Sequence, residues 1–299
     1  MVIKVNHNYV AVFLAVLLVG VFCLFELWGP DSIHAAAETE IPEGSVRLPV
    51  VMYHHLMKNE AKLGDYVISP AQFEEDLLYI QKCGYTTISV FELMDHRYNG
   101  APLPEKPILL TFDDGNESVY TYAYPLLEKY KMKAVVSIIG KYTDFYSEPD
   151  TPNDVSYANL TWDQIREMKQ SGIFEIGNHT YNMHGDGQKG TRYGIRMKKG
   201  ESAETYRQAI LEDVGGLSTE MKEQLGEFPT IFAYPFGALC KESKPVLTEI
   251  GFQVILTCEE KVNIIPENAE LPLVLKRYNR AHRYSTYEYF KRAGVVPPA

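Results

Sequence analysis

Four cysteines are spread through 299 residues, Cys23, Cys83, Cys240 and Cys258, and none forms a C-x-x-C pair. That spacing argues against a thiolate zinc site. With Cys23 inside an apolar run, the remaining odd number gives no disulfide framework. The sequence holds neither a G-x-G-x-x-G nor a G-x-x-x-x-G-K-S/T loop, so the common phosphate cradles are absent. Internal repeats and low-complexity tracts are missing too. Positive charge is short: 29 Lys and Arg against 39 Asp and Glu give a net charge of −10. Nucleic acid is excluded as an expected partner on that balance.

What is present fits a globular chain with a real core, at 45% hydrophobic and 23% charged residues. The 21 Tyr and 13 Phe can fill that core or meet flat apolar ligands such as sugar rings. One uncharged run, Val10 to Phe25 (VAVFLAVLLVGVFCLF), follows Lys4 and precedes Glu26, Asp31, Glu38 and Glu40. Its 16 residues suit a short membrane anchor or a long signal segment, with the N-terminus inside and the body exported. Cleavage after Ala37 would release the protein; without it, residues 1–29 stay as an anchor. Residues 30–47 read as a polar linker, and 48–299 as the globular domain.

From residue 48 onward strand and helix signals alternate. Expected strands lie at 48–56, 86–89, 107–112, 133–139, 174–177, 230–234, 252–257 and 271–279. Ser69-Pro70, Ser89 with Glu92, Thr161 with Gln164, and Ser285 mark helix starts. Helices are expected at about 118–131, 202–214 and 241–250, and residues 141–160 and 185–200 as long loops. The alternation predicts an α/β fold with a parallel sheet, whose chemistry gathers at the carboxyl ends of strands.

Candidate chemical residues sit at those ends. Asp113-Asp114 follows strand 107–112; His179 and His184 follow 174–177; Tyr234-Pro235-Phe236-Gly237 follows 230–234; His54-His55 closes the first strand. One carboxylate and two imidazoles suffice to hold a divalent ion with an open position. A second carboxylate can take a proton from water, and a further histidine can protonate a leaving group. Backbone N–H groups in the turn formed by Tyr234, Phe236 and Gly237 can hold an oxyanion. The set is complete for hydrolysis of an amide or ester. His179 and His184 would stand about 140° apart on a regular helix, so a turn must bring them together. His54 and His55 alternate across a strand, so at most one faces the site.

TFDDG (111–115) and HTYNMH (179–184) resemble the first two motifs of the polysaccharide deacetylases of carbohydrate esterase family 4, the NodB-homology family. The resemblance implies a distorted (β/α) barrel of about seven parallel strands. It implies Asp113 as catalytic base, and Asp114, His179 and His184 as metal ligands. The metal is expected to be zinc, with cobalt or nickel as substitutes. The His spacing and Tyr53-His54 on the first strand are similar to a permuted branch acting on poly-β-1,6-N-acetylglucosamine, which implies His54 as general acid. The third motif departs: Ala233-Tyr234-Pro235-Phe236 lacks the family's arginine, and Arg277 on the last strand is the candidate replacement. The implied activity is N-deacetylation of polymeric N-acetylglucosamine, in exopolysaccharide or peptidoglycan, at a bacterial cell membrane with the domain outside. The alternatives are a glycan-binding protein of this fold without turnover, and a metal hydrolase for another acyl group. The excess of Lys189, Arg192, Arg196, Lys198 and Lys199 over Asp186 in loop 185–200 suits either an anionic polymer or plain solvation. Nothing in the sequence sets an oligomeric state.

Overall fold

Val50–Tyr53 (β1) and Pro107–Phe112 (β2) are buried at every residue, as apolar runs covered on both faces should be. They pair in parallel, Val50 beside Leu109 through Tyr53 beside Phe112. Ala134–Ile138 (β3), Phe174–Asn178 (β4), Ile231–Ala233 (β5) and Val254–Leu256 (β6) extend the sheet, again in parallel. The computed structural model describes residues 41–298. The expected anchor at 10–25 and cleavage point after Ala37 lie outside them, and no helix among the described residues is long and apolar enough to cross a membrane.

The expected strand 271–279 is broken in two. Leu273–Leu275 (β7) pairs with β6 at one edge of the sheet, and Tyr278–Asn279 (β8) pairs with β1 at the other. Only Lys276 and Arg277 separate the two pieces, so the sheet curls until its edges nearly meet. The result is a distorted barrel with seven strand positions, the seventh split at the seam.

Alternation along each strand then sorts the side chains. Val50, Leu109, Val135, Ile231, Ala233, Val254, Leu256, Leu273 and Leu275 share the interior cluster. Continuing the same faces upward, Leu109 leads through Thr111 to Asp113, and Leu275 leads to Arg277. Below its carboxyl end the barrel interior is apolar except for Glu175, which shares the face of Val135 and accepts the N–H groups of Val90 and Phe91 at 2.5 and 2.7 Å. Outward residues such as Val51, Leu110, Phe112, Val136 and Ile176 pack under the helices Pro70–Lys82 (α1), Tyr124–Tyr130 (α3) and Trp162–Gln170 (α5), while Val90–Asn99 (α2) packs against the interior cluster.

Three departures from the expected elements have local causes. Val46–Leu48 pairs antiparallel with Asn263–Ile265, so the expected linker 30–47 ends before Val46. Part of loop 141–160 is the helix Gly140–Ser147 (α4). It has no side-chain cap; its first two N–H groups instead bind the carbonyls of Thr180 and Tyr181, at 3.1 and 3.0 Å. The expected helix end near 214 is a wide turn, Leu211–Gly215, between Ala203–Ile210 (α6) and Gly216–Leu225 (α7). Gly216 keeps helical angles there, so it does not act as a stop.

Candidate metal-dependent active site

β2 ends in Asp113, whose side chain is 2% exposed. Its N–H still donates to Tyr53 at 3.0 Å, which holds it in the ladder. Arg277, fully buried at the barrel seam, donates from both terminal nitrogens to its two carboxylate oxygens, each at 2.7 Å. The same guanidinium donates to Thr111 Oγ1 at 3.2 Å and, through Nε, to the Thr257 carbonyl at 2.9 Å. Planar, bidentate pairing is what an arginine supplies and a lysine does not. Burial alone would raise the Asp113 carboxyl, but Arg277, helped by the nearby histidines, holds it below its ordinary value.

Asp114 leaves the ladder. Its φ of 70°, followed by Gly115 at 68°, turns the chain sharply. Aspartate tolerates that region better than most residues. A Cβ on Gly115 would lie 3.3 Å from the Ile138 backbone, so the turn needs glycine there. Asn159 donates to the Asp114 carbonyl at 2.7 Å and Leu160 N–H to that of Gly115 at 2.8 Å, pinning the turn. The turn chemistry and the second carboxylate are therefore one feature.

Asp114, His179 and His184 offer ligand atoms that all lie within 4.8 Å of one another. Asp114 Oδ1 is 3.5 Å from His179 Nε2 and 3.2 Å from His184 Nε2. His179 Nδ1 lies 2.8 Å from the Ala233 carbonyl. That partner requires the proton on Nδ1 and leaves the Nε2 lone pair aimed at Asp114, as a metal-binding imidazole needs. One carboxylate, the His179 imidazole so directed and the His184 Nε2 beside Asp114 fit a borderline divalent ion such as zinc. The turn expected between the histidines exists: Thr180 has φ 73°.

The two adjacent histidines separate as strand alternation requires. His54 stands in the field of Asp114 and Asp113, and burial lowers its pKa. Its ring meets Tyr66 edge-on at 4.8 Å. His55 Nδ1 instead contacts Ser118 Oγ at 2.6 Å.

The Tyr-Pro-Phe-Gly turn contributes less than its sequence suggests. Tyr234 N–H donates to Leu256 at 3.0 Å, its hydroxyl meets Ser243 at 2.7 Å, and its ring is buried. Gly237 N–H donates to Tyr234 at 3.1 Å, and Pro235 has none to give. So neither Tyr234 nor Gly237 offers a donor to an oxyanion. Among the described residues, Phe236 is the member of the turn whose N–H has no assigned acceptor. Its ring, 44% exposed, packs on His184 at 4.5 Å and stacks on Tyr193 at 5.4 Å.

Loop 185–200 is also less cationic than its composition. Arg192 is paired with Glu201 through two bonds of 2.8 and 2.6 Å. Arg196 lies over the Tyr193 ring at 5.5 Å.

Two acids near Tyr181, Asp144 on α4 and Glu220 on α7, influence each other. Burial and the Asp144 carboxylate push Glu220 up to about 7. A carboxyl raised in the fold binds its proton more tightly there than in the unfolded chain. The stability it adds is complete below the ordinary carboxylate range and is lost as pH rises through about 7. In Glu220→Gln, the fall in Tm between pH 5 and 8 should be smaller than in wild type; an equal fall would contradict this assignment.

Comparison with known proteins supports the same reading of the fold. The family model described as polysaccharide deacetylase matches residues 100–255, over half of the chain. That span holds Asp113, Asp114, His179 and His184, while His54 and Arg277 come from strands on either side of it. Poly-beta-1,6-N-acetyl-D-glucosamine N-deacetylase of Escherichia coli K12 is 25% identical, over 75% of this chain and 36% of that protein. The chain thus spans about a third of that relative's length. The enzyme of the same name from Staphylococcus aureus MRSA252 is 24% identical, over 69% of this chain and 66% of its own. Among solved structures, IcaB from Ammonifex degensii superposes with a TM-score of 0.68 at 27% identity, covering 83% of this chain and 97% of that one. A de-N-acetylase from Aggregatibacter actinomycetemcomitans shares the fold with the same TM-score, 0.68, at 24% identity, covering 82% and 100%. A barrel curled round to a split seventh strand, two acids just past its second strand and a histidine pair past its fourth thus go with the family match: the chain belongs to the polysaccharide deacetylase family.

Proposed function

We propose that the chain is a metal-dependent N-deacetylase acting outside the cell on polymeric N-acetylglucosamine. The observation that carries this reading is the convergence of Asp114, His179 and His184 within 4.8 Å, beside an Asp113 that Arg277 grips with both nitrogens.

Asp114, His179 and His184 would hold the ion, which when bound supplies Lewis-acid polarisation of the acetyl carbonyl and acidification of water. Asp113 is the base. Arg277 keeps it ionised, and each carboxylate oxygen retains a lone pair for the proton of the attacking water. The Phe236 N–H is the backbone donor left for the developing oxyanion. His54 gives its proton to the departing amide nitrogen; burial, which lowers its pKa, makes its imidazolium the stronger acid. A C–O bond forms, the C–N bond breaks, and one water is consumed to give acetate and a free amine. The Phe236 and Tyr193 rings are the apolar wall on which a sugar can rest.

The glycan-binding alternative rested on the missing arginine of the third motif. Arg277 meets Asp113 in a way that such an arginine would, and that support is gone. The names of the E. coli and S. aureus relatives favour a β-1,6-linked polymer as substrate. Export is supported by the apolar run Val10–Phe25 behind Lys4. The purified protein should release acetate from N-acetylglucosamine oligomers and carry bound metal. Metal-loaded protein that releases acetate from O-acetylated glycans, and none from any N-acetylated oligomer, would replace this reading with an esterase.

A further inference from the structure

We infer that Asp213 is a positioning residue for the metal site, acting through the loop that carries both histidines; this rests on the metal-dependent reading above. Asp213 lies in the wide turn Leu211–Gly215, more than 25 residues beyond His184. Its two carboxylate oxygens accept the N–H groups of Tyr181 and Asn182, both at 2.9 Å. These are the central residues of the 179–184 loop.

The loop needs such a partner. Thr180 has φ 73°, a conformation costly for a β-branched residue and kept only where its surroundings impose it. Four residues lie between His179 and His184, so the backbone between them must double back, which takes its N–H groups out of any helix or ladder. Four in a row, from His179 to Asn182, are met by specific acceptors. His179 N–H donates to Ile138 at 2.9 Å, Thr180 N–H to Asn178 Oδ1 at 2.8 Å, and the next two to Asp213. Asn178 in turn donates to the Val214 carbonyl at 2.9 Å and to Ser218 at 3.1 Å, so the same turn holds the loop at its start and at its centre. On the opposite side the carbonyls of Thr180 and Tyr181 accept from the first turn of α4. The Tyr181 ring fits there because residue 140 is glycine: a Cβ would lie 2.7 Å from that ring and 2.6 Å from Leu217.

Without Asp213, two backbone donors lose their acceptors and the strained turn loses what imposes it. His179 stays tied to Ala233, whereas His184 is held by this loop and by ring packing on Phe236. His184 should therefore drift from Asp114, and metal affinity should fall while the barrel persists. Partners that orient metal ligands from behind are worth about 10- to 100-fold in affinity.

The test is calorimetric titration of zinc into metal-stripped full-length protein, for wild type, Asp213→Asn, Asp213→Ala and Ile80→Val. Ile80 is buried on α1, away from the loop, and its truncation lowers stability without touching the site. Asp213→Ala should bind zinc about 10- to 100-fold more weakly. Asp213→Asn, keeping one acceptor oxygen, should fall between, and Ile80→Val should match wild type. Acetate release by Asp213→Ala should recover at saturating zinc. An Asp213→Ala affinity within about twofold of wild type overturns the inference, and so does an equal loss in Ile80→Val. Wild type that takes up no zinc overturns the metal-dependent reading and the inference with it.

Discussion

Replacing Arg277 with methionine should lower kcat for acetate release by about 10²- to 10⁴-fold, the usual worth of a positioned general base. It should also cost about 3–5 kcal/mol of stability, because one half of a buried ion pair is left uncompensated. Both effects have one origin. Asp113 is buried, and burial by itself raises a carboxyl; Arg277 is the main opposing influence. In wild type the Asp113 pKa lies below its ordinary value, so its stabilising charge is present above the ordinary carboxylate range and is lost as pH falls through the lowered pKa. In Arg277→Met burial acts unopposed by that cation. The acid limb of the pH–rate profile should move to higher pH, and stability should fall as pH rises. Arg277→Lys restores the charge but not the two-pronged contact, and should recover stability more than rate. A methionine variant with wild-type kcat and an unmoved acid limb would show that Arg277 is structural only.

The second large effect is that of Asp113→Asn. The amide keeps the shape of the side chain and one acceptor for Arg277, but it cannot take a proton. Acetate release should drop by about 10²- to 10⁴-fold. Metal content should not change, because the ion is assigned to Asp114 and not to its neighbour. The variant leaves Arg277 without its counter-charge, so some loss of stability should accompany the loss of rate, and it should be smaller than in Arg277→Met because the arginine still donates to Thr111 and Thr257.

The parts of the site legible in the sequence are those whose signals are local. Asp113-Asp114-Gly115 follows an apolar strand and is both a turn and a pair of acids. His54 and His55 alternate, and strand geometry alone says that one must face away. The capping boxes at Ser89 and Thr161 start helices where expected, because each satisfies its own first turn within four residues.

What stayed hidden depends on contacts between distant segments. α4 is built from weak helix formers and has no cap; its first N–H groups are satisfied by the histidine loop, which no window of sequence can show. Gly215-Gly216 looks like a stop, yet the chain keeps helical angles through it. Strand 271–279 is continuous in pattern and broken in space, because a sheet that closes must have a seam. Arg277 was nameable only as a replacement for a missing residue. Its bidentate grip follows from sitting at that seam, facing inward. Tyr234 misled in the other direction: its motif marks the turn, but the ring and the N–H serve the core and the ladder. Asp213 carries no local signal at all.

The most direct test of the account is acetate release from N-acetylglucosamine oligomers, measured with zinc content on the same preparations of wild type and Asp113→Asn. The account predicts equal zinc in both and acetate release about 10²- to 10⁴-fold slower from Asp113→Asn. An Asp113→Asn protein that holds zinc and releases acetate at the wild-type rate would contradict it.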